Sequence, residues 1–146
     1  MNPQNLNIYP NSDTLALAFA KHFIQKADEA IRARGRFLAV LSGGGTPLKA
    51  YRLLAQEPFK SQIEWKKVHL FWGDERHVPH DDAGSNFYQA GEALLKHVGI
   101  PDGNLHPMPT HLSPREAVDA YHQTLDSYTK SNSKHVRFDL VLLGLG

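Results

Sequence analysis

Apolar residues recur at three- and four-residue spacing through the first part of the chain. Leu15, Ala18, Phe19, Phe23, Ala27, Ala30 and Ile31 form the stripe of an amphipathic helix. Asn11-Ser12-Asp13 supplies capping oxygens before it, and Gly35 ends it after the basic Arg32 and Arg34. The pattern then changes to an unbroken apolar run, FLAVL at 37–41, as a short strand covered on both faces requires. Ser42-Gly43-Gly44-Gly45 breaks that run, and Thr46-Pro47 suits a cap followed by proline in the first helical position. A helix carrying Leu48, Tyr51, Leu53 and Leu54 is expected to about Gln56, before Pro58. Strand, glycine turn and helix make one unit.

The same order recurs in kind, without a sequence repeat. Residues 68–72 predict a second buried strand, followed by the polar stretch GDERHVPHDDAGSN. Residues 87–98 predict a helix with Phe87, Ala90, Leu94 and Leu95 on one side. Gly99-Ile100-Pro101-Asp102-Gly103 is turn-rich and leaves room for a short extended piece at Leu105-His106. Ser113-Pro114-Arg115-Glu116 carries the reciprocal serine and glutamate of a capping box, and its helix is expected to reach Tyr128. A last strand at 140–143 runs into Gly144-Leu145-Gly146, and residues 6–9 add a short edge strand. Helices alternating with short apolar strands predict a Rossmann-like α/β fold. Its mostly parallel sheet is flanked by helices, in one domain over residues 1–146. Ligands of such sheets sit beyond the C-terminal strand ends. That selects residues 42–47, residues 73–86 and the chain from Gly144 onward.

Composition narrows the function classes. Hydrophobic residues make up 41% and charged residues 21%, a balance foreign to disordered and coiled-coil chains. Sixteen Lys and Arg against fifteen Asp and Glu leave a formal charge of +1, so no long-range field draws the surface to nucleic acid or anionic lipid. Anion binding must come from local clusters. Lys66-Lys67 and the basic run at 130–137 lack interleaved aromatics, and no nucleic-acid motif emerges. The absence of cysteine excludes disulfides, thiolate catalysis and cysteine-based metal sites, and it fits a reducing compartment. MNPQNLNIYP lacks a basic run followed by an apolar one, and no apolar run approaches the roughly 20 residues of a membrane span. A soluble, cytoplasmic protein without a membrane partner is expected.

Two segments carry candidate chemistry. In Ser42-Gly43-Gly44-Gly45-Thr46-Pro47, backbone amides and a helix N-terminus together suit a phosphate, with hydroxyls from Ser42 and Thr46. The segment has neither the Gly-Lys-Ser/Thr of a Walker A loop nor the spacing of a dinucleotide fingerprint. A tight turn with an ordinary cap would use the same residues. In Gly73-Asp74-Glu75-Arg76-His77-Val78-Pro79, the acids can orient a sugar hydroxyl or a catalytic partner. Arg76 can pair with them or clamp an anion. A solvated loop holding a local ion pair is the plainer alternative. His77, His80, Asp81 and Asp82 match no strong metal-ligand spacing, and no metal site is expected. Ser85-Asn86 suits a cap for the next helix, a polar contact at the cleft, or both.

Three stretches, LSGGGTPLKAYRLLA, KKVHLFWGDERHVPHDDAGSNF and FDLVLLGLG, occur in an order and strand context that resembles the 6-phosphogluconolactonase family. The wider group includes glucosamine-6-phosphate isomerase/deaminases. The resemblance implies hydrolysis of 6-phosphoglucono-δ-lactone to 6-phosphogluconate in the oxidative pentose phosphate pathway. The partner would be a small phosphorylated sugar lactone, with no redox or metal cofactor. It also implies that Gly43, Gly44, Gly45 and Thr46 belong to the sugar-phosphate pocket. Arg76 would hold the phosphate or the cleft architecture, and Asp74 would order the site. Gly45 stands where many relatives have serine, which removes one hydroxyl.

Arg76-His77-Val78-Pro79 after the Asp-Glu pair looks like the lactonase pattern, whereas deaminases more typically place tyrosine there. A deaminase-like isomerase and a non-catalytic sugar-phosphate-binding fragment remain the alternatives. The family's general-base histidine lies in an Asp-Gly-His segment just after the closing glycine turn, and the sequence stops at Gly146. The resemblance therefore implies an incomplete domain, truncated before its last strands and helices. Such a chain is expected to have little or no lactonase activity alone.

Overall fold

Four parallel strands, β1 (Phe37–Leu41), β2 (Val68–Trp72), β3 (Leu105–His106) and β4 (Leu140–Val141), form one sheet in the order β3-β2-β1-β4. The computed structural model describes residues 6–129 and 133–144. Residues 1–5, Lys130 of the basic run and Leu145-Gly146 of the closing turn lie outside the described residues. Pairing runs from Phe37↔Val68 to Leu41↔Trp72 between β1 and β2, while Ala39↔Leu140 joins β4 to the other side of β1. The chain thus builds outward from β1 to β3, then returns to β1 from the opposite side. Strand order reverses between β1 and β4, and in open α/β sheets such a reversal opens a crevice at the C-terminal strand ends.

Helix α1 (Ser12–Arg34) follows its predicted signals. Asn11 accepts hydrogen bonds from the amides of Asp13 and Thr14, and Gly35 takes the left-handed conformation (φ 76°) that ends the helix. Its buried stripe runs through Ala16, Ala20, Phe23, Ala27, Ala30 and Ile31. Leu15, expected in that stripe, is exposed, because the buried face of α1 begins at its neighbour Ala16. Helix α2 (Gly45–Leu54) starts earlier than expected. Gly44, at φ 109°, is its N-cap, which corrects the reading of Thr46 as the cap and places Pro47 in the third helical position.

Helix α3 (Asn86–Ala93) stops short of 98 and passes into a 3-10 turn at Leu95–His97. Helix α4 (Pro114–Asp126) opens with the predicted capping box between Ser113 and Glu116. It ends at Asp126, two residues before Tyr128, and β4 is shorter than the strand predicted at 140–143. Residues 6–9 are exposed and form no strand.

The two faces of the sheet carry different cores. Phe37, Ala39, Leu41, Val68, Leu70 and Trp72 pack with residues of α1, α2 and α3 in the larger one. On the other face Leu38, Val40 and Phe71 meet Leu125, Tyr128, Val136 and Phe138. β1 is buried along its whole length, as its unbroken apolar run predicts.

The second face also holds a polar group. The Tyr128 hydroxyl lies 3.0 Å from His69 Nδ1 and 2.9 Å from His106 Nε2. One phenol proton can serve one ring as donor while the other ring donates back, an arrangement that needs the accepting imidazole neutral. Burial, then the neighbouring His69, push His106 down to about 4 from the ordinary 6.5. Above pH 6.5 the group is neutral in both folded and unfolded chains. Between 6.5 and 4 the unfolded chain takes up a proton that the folded chain refuses, so stability is lost as pH falls through that window. Melting midpoints measured across it should fall more steeply for the wild-type chain than for His106→Gln; parallel profiles would refute this.

Candidate functional site

The turn after β1 and the loop after β2 start from adjacent, paired residues and meet beyond the sheet. Two tyrosines secure their starting points. The Tyr51 hydroxyl donates to the Ser42 carbonyl (2.8 Å) and accepts from the Ser42 amide (3.1 Å). Tyr121 does the same one strand over, donating to the Trp72 carbonyl (2.9 Å) and accepting from its amide (3.0 Å). Both phenols are raised by burial, that of Tyr121 to about 12, so they stay neutral donors through the physiological range.

The glycine turn leaves its amides open. Among the described residues, no acceptor meets the amides of Gly43 and Gly44. Those of Gly45 and Thr46 lie in the first turn of α2, which has no side-chain cap. Gly44, Gly45 and Thr46 are exposed, and Gly43 is half-buried. The sequence-predicted phosphate cradle is thus a short arc of undirected N–H donors at a helix N-terminus.

The three glycines differ in what they permit. A Cβ on Gly43 would stand 2.1 Å from Asn86 Oδ1, so only glycine lets the turn touch that side chain. Gly44 needs its positive φ, while a Cβ on Gly45 would meet nothing within 4 Å. Asn86 in turn donates from Nδ2 to the Asp74 carbonyl (3.1 Å). It is 6% exposed, and it links the turn to the loop.

Glu75 fixes the rest of that loop. Its Oε1 accepts from the amides of Arg76 (2.8 Å) and Asn86 (2.7 Å). Its Oε2 accepts from Ser85 Oγ (3.0 Å) and the Phe87 amide (2.9 Å). The carboxylate therefore sits on the N-terminus of α3, where helix charge favours it. Ser85 caps the same helix by accepting from the Tyr88 amide (3.1 Å), so Ser85 and Asn86 divide the roles of cap and cleft contact. The sequence offers Asp74 and Glu75 alike for orienting a hydroxyl or a catalytic partner, and the resemblance singles out Asp74. The structure separates them, for Asp74 is exposed and its carboxylate has no partner among the described residues.

Arg76 is likewise exposed, and no carboxylate pairs with it among the described residues, so the local ion pair does not form. The far end of the loop is strapped to residues 108–112. His77 Nε2 donates to the Leu112 carbonyl (2.9 Å) and His80 Nε2 to that of Met108 (2.7 Å). Thr110 Oγ1 donates to the Val78 carbonyl (2.6 Å). Beside the strap, Glu75, His77, Met108, Thr110 and Tyr121 line part of a cavity of about 420 Å³. The hydroxyls of Tyr51 and Tyr121 are contacts that the sequence pattern does not signal. A tyrosine on a helix's apolar face gave no sign of its hydroxyl's partner.

A family model described as glucosamine-6-phosphate isomerases/6-phosphogluconolactonase matches residues 10–146. The chain belongs to this family. The 6-phosphogluconolactonase of Mycobacterium tuberculosis is 42% identical over 147 residues, which cover 97% of this chain and 59% of that protein. The crystal structure of the Thermotoga maritima 6-phosphogluconolactonase matches with a TM-score of 0.78 at 32% identity, covering 90% of this chain and 56% of that one. The Trypanosoma brucei 6-phosphogluconolactonase matches with a TM-score of 0.82 at 29% identity, covering 96% and 59% respectively. The chain thus spans somewhat under three-fifths of the length of these family members. Among the described residues, no helix is long and apolar enough to cross a membrane.

Proposed function

We propose that the protein is a 6-phosphogluconolactonase, to which this chain contributes the sugar-phosphate end of the site. The observation that carries the reading is the junction of glycine turn and Asp74 loop through Gly43 and Asn86, at the C-terminal ends of β1 and β2. The open amides at 43–46 would receive the substrate phosphate. Arg76, without a carboxylate partner among the described residues and on the same loop system, would supply the positive charge that a dianion needs beyond N–H donors. Asp74, whose carboxylate likewise has no partner among them, would order a substrate hydroxyl or a catalytic group.

Hydrolysis adds water to the lactone carbonyl, passes through a tetrahedral oxyanion, and breaks the ring ester bond to leave a carboxylate and a hydroxyl. It needs a base to take the water's proton. His77 and His80, the histidines of the loop, each use Nε2 on a backbone carbonyl. Neither is offered as that base. The 146-residue chain alone is therefore expected to bind 6-phosphogluconate while hydrolysing the lactone no faster than the spontaneous rate. Calorimetric titration and a background-subtracted hydrolysis assay check the two halves separately. Loss of binding in Arg76→Gln would support the phosphate role, and unaltered binding would remove it. Normal turnover by the 146-residue chain would overturn this expectation.

A further inference from the structure

A larger cavity, of about 600 Å³, opens at the opposite end of the strands from the glycine turn. Its walls include Arg34, Arg36, His135, Arg137 and Asp139, with Tyr128 among them. Arg36 directly precedes β1 and Asp139 directly precedes β4, so this cavity lies at the N-terminal edge of the sheet. Five residues of strand put it roughly 16 Å from the turn that follows Leu41.

The charges do not cancel. Among the described residues Asp139 is the one carboxylate lining the cavity, and both of its oxygens are already engaged. Oδ2 accepts from the Leu38 amide (2.8 Å), and Oδ1 pairs with Arg34. Arg36 lies over the Tyr128 ring, 5.2 Å from its centre, and has no carboxylate partner among the described residues. Arg137 is exposed and equally unpaired among them. Two guanidinium groups without a carboxylate partner among the described residues, and one imidazole, thus line a common space in a chain whose formal charge is only +1.

We propose that this cavity is a second anion site, for a small molecule bearing phosphate, separate from the site at the glycine turn. Guanidinium forks match phosphate oxygens in pairs, and Phe138 lines the same space for the rest of such a ligand. The volume falls in the range of small-molecule sites and far exceeds what a simple halide needs. Nucleic acid fits less well, since the cations line a concavity and no basic stripe continues from it.

Inorganic pyrophosphate, titrated at constant ionic strength and followed by amide chemical shifts, tests the assignment. Saturable shifts are expected at Arg36, Leu38 and Asp139. Arg36→Gln with Arg137→Gln should weaken binding about tenfold or more, the loss of one or two charge-assisted hydrogen bonds. Arg137→Gln alone, at an exposed position that does not endanger folding, should weaken it several-fold. Lys66→Gln with Lys67→Gln should leave it unchanged. Shifts confined to 43–46, a linear response without saturation, or equal binding by wild type and Arg137→Gln would overturn the proposal.

Discussion

Glu75→Ala is expected to lower the melting midpoint by roughly 6–12 °C, from about 3 kcal/mol of lost stability. The side chain accepts four hydrogen bonds, and its removal strands donors that cannot all reach water. Ser85 is fully buried, while the amides of Asn86 and Phe87 open α3. A donor left without an acceptor costs about 1–3 kcal/mol, so two such donors already account for the figure. Glu75→Gln keeps the shape but replaces one accepting oxygen with an amide that faces donors, and should fall between the two. Asp74→Asn, at an exposed carboxylate without a partner, should change stability by no more than about 0.5 kcal/mol. Hydrogen exchange at Asn86 and Phe87 should quicken in Glu75→Ala. Equal melting of Glu75→Ala and Asp74→Asn would refute the anchoring role.

Gly43→Ala is expected to abolish 6-phosphogluconate binding and to cost about 1–3 kcal/mol, the penalty of overpacking. Asn86 must move to admit the new methyl, and moving it breaks its bond to the Asp74 carbonyl. The turn and the loop would part together. Gly45→Ala, whose methyl enters open space on a helix, should leave binding intact and stabilise slightly. A double variant, Gly43→Ala with Asn86→Ala, removes the clash and should lose less stability than the two single changes summed. If Gly43→Ala and Gly45→Ala bind alike, the close approach has no functional weight.

Periodicity and turn chemistry made most of the fold legible. Apolar runs mark β1 and β2 because both faces of these strands are covered, and capping side chains mark α1 and α4 because helix amides need acceptors. Where the reading slipped, tertiary contacts decided. Gly44 starts α2 early through its own backbone conformation, a choice that Thr46 as a capping residue obscured. Leu15 is exposed because the buried face of α1 runs through Ala16, Ala20 and Phe23 instead. Tyr128 leaves the helical path and bonds to two histidines from different strands, a partnership between residues 59 and 22 positions apart.

The site divides in the same way. Its glycines and its Asp-Glu pair were visible as local motifs. The difference between Asp74 and Glu75 was not, since it depends on which carboxylate reaches the start of α3. Nor was the demand on Gly43, which comes from a side chain 43 residues later in the chain.

The two tyrosine clasps bear on how such a site can change. Each phenol closes the backbone of the residue where a strand gives way to a loop, Ser42 on one side and Trp72 on the other. Fraying that would otherwise spread from a remodelled loop into the ladder stops there. The two loops leave neighbouring strands, spaced about 4.8 Å apart by the sheet. Substitutions beyond the clasps can therefore alter what the loops grip without altering where they start. The hydroxyls of Tyr51 and Tyr121 thus mark where the sheet ends and the loops begin.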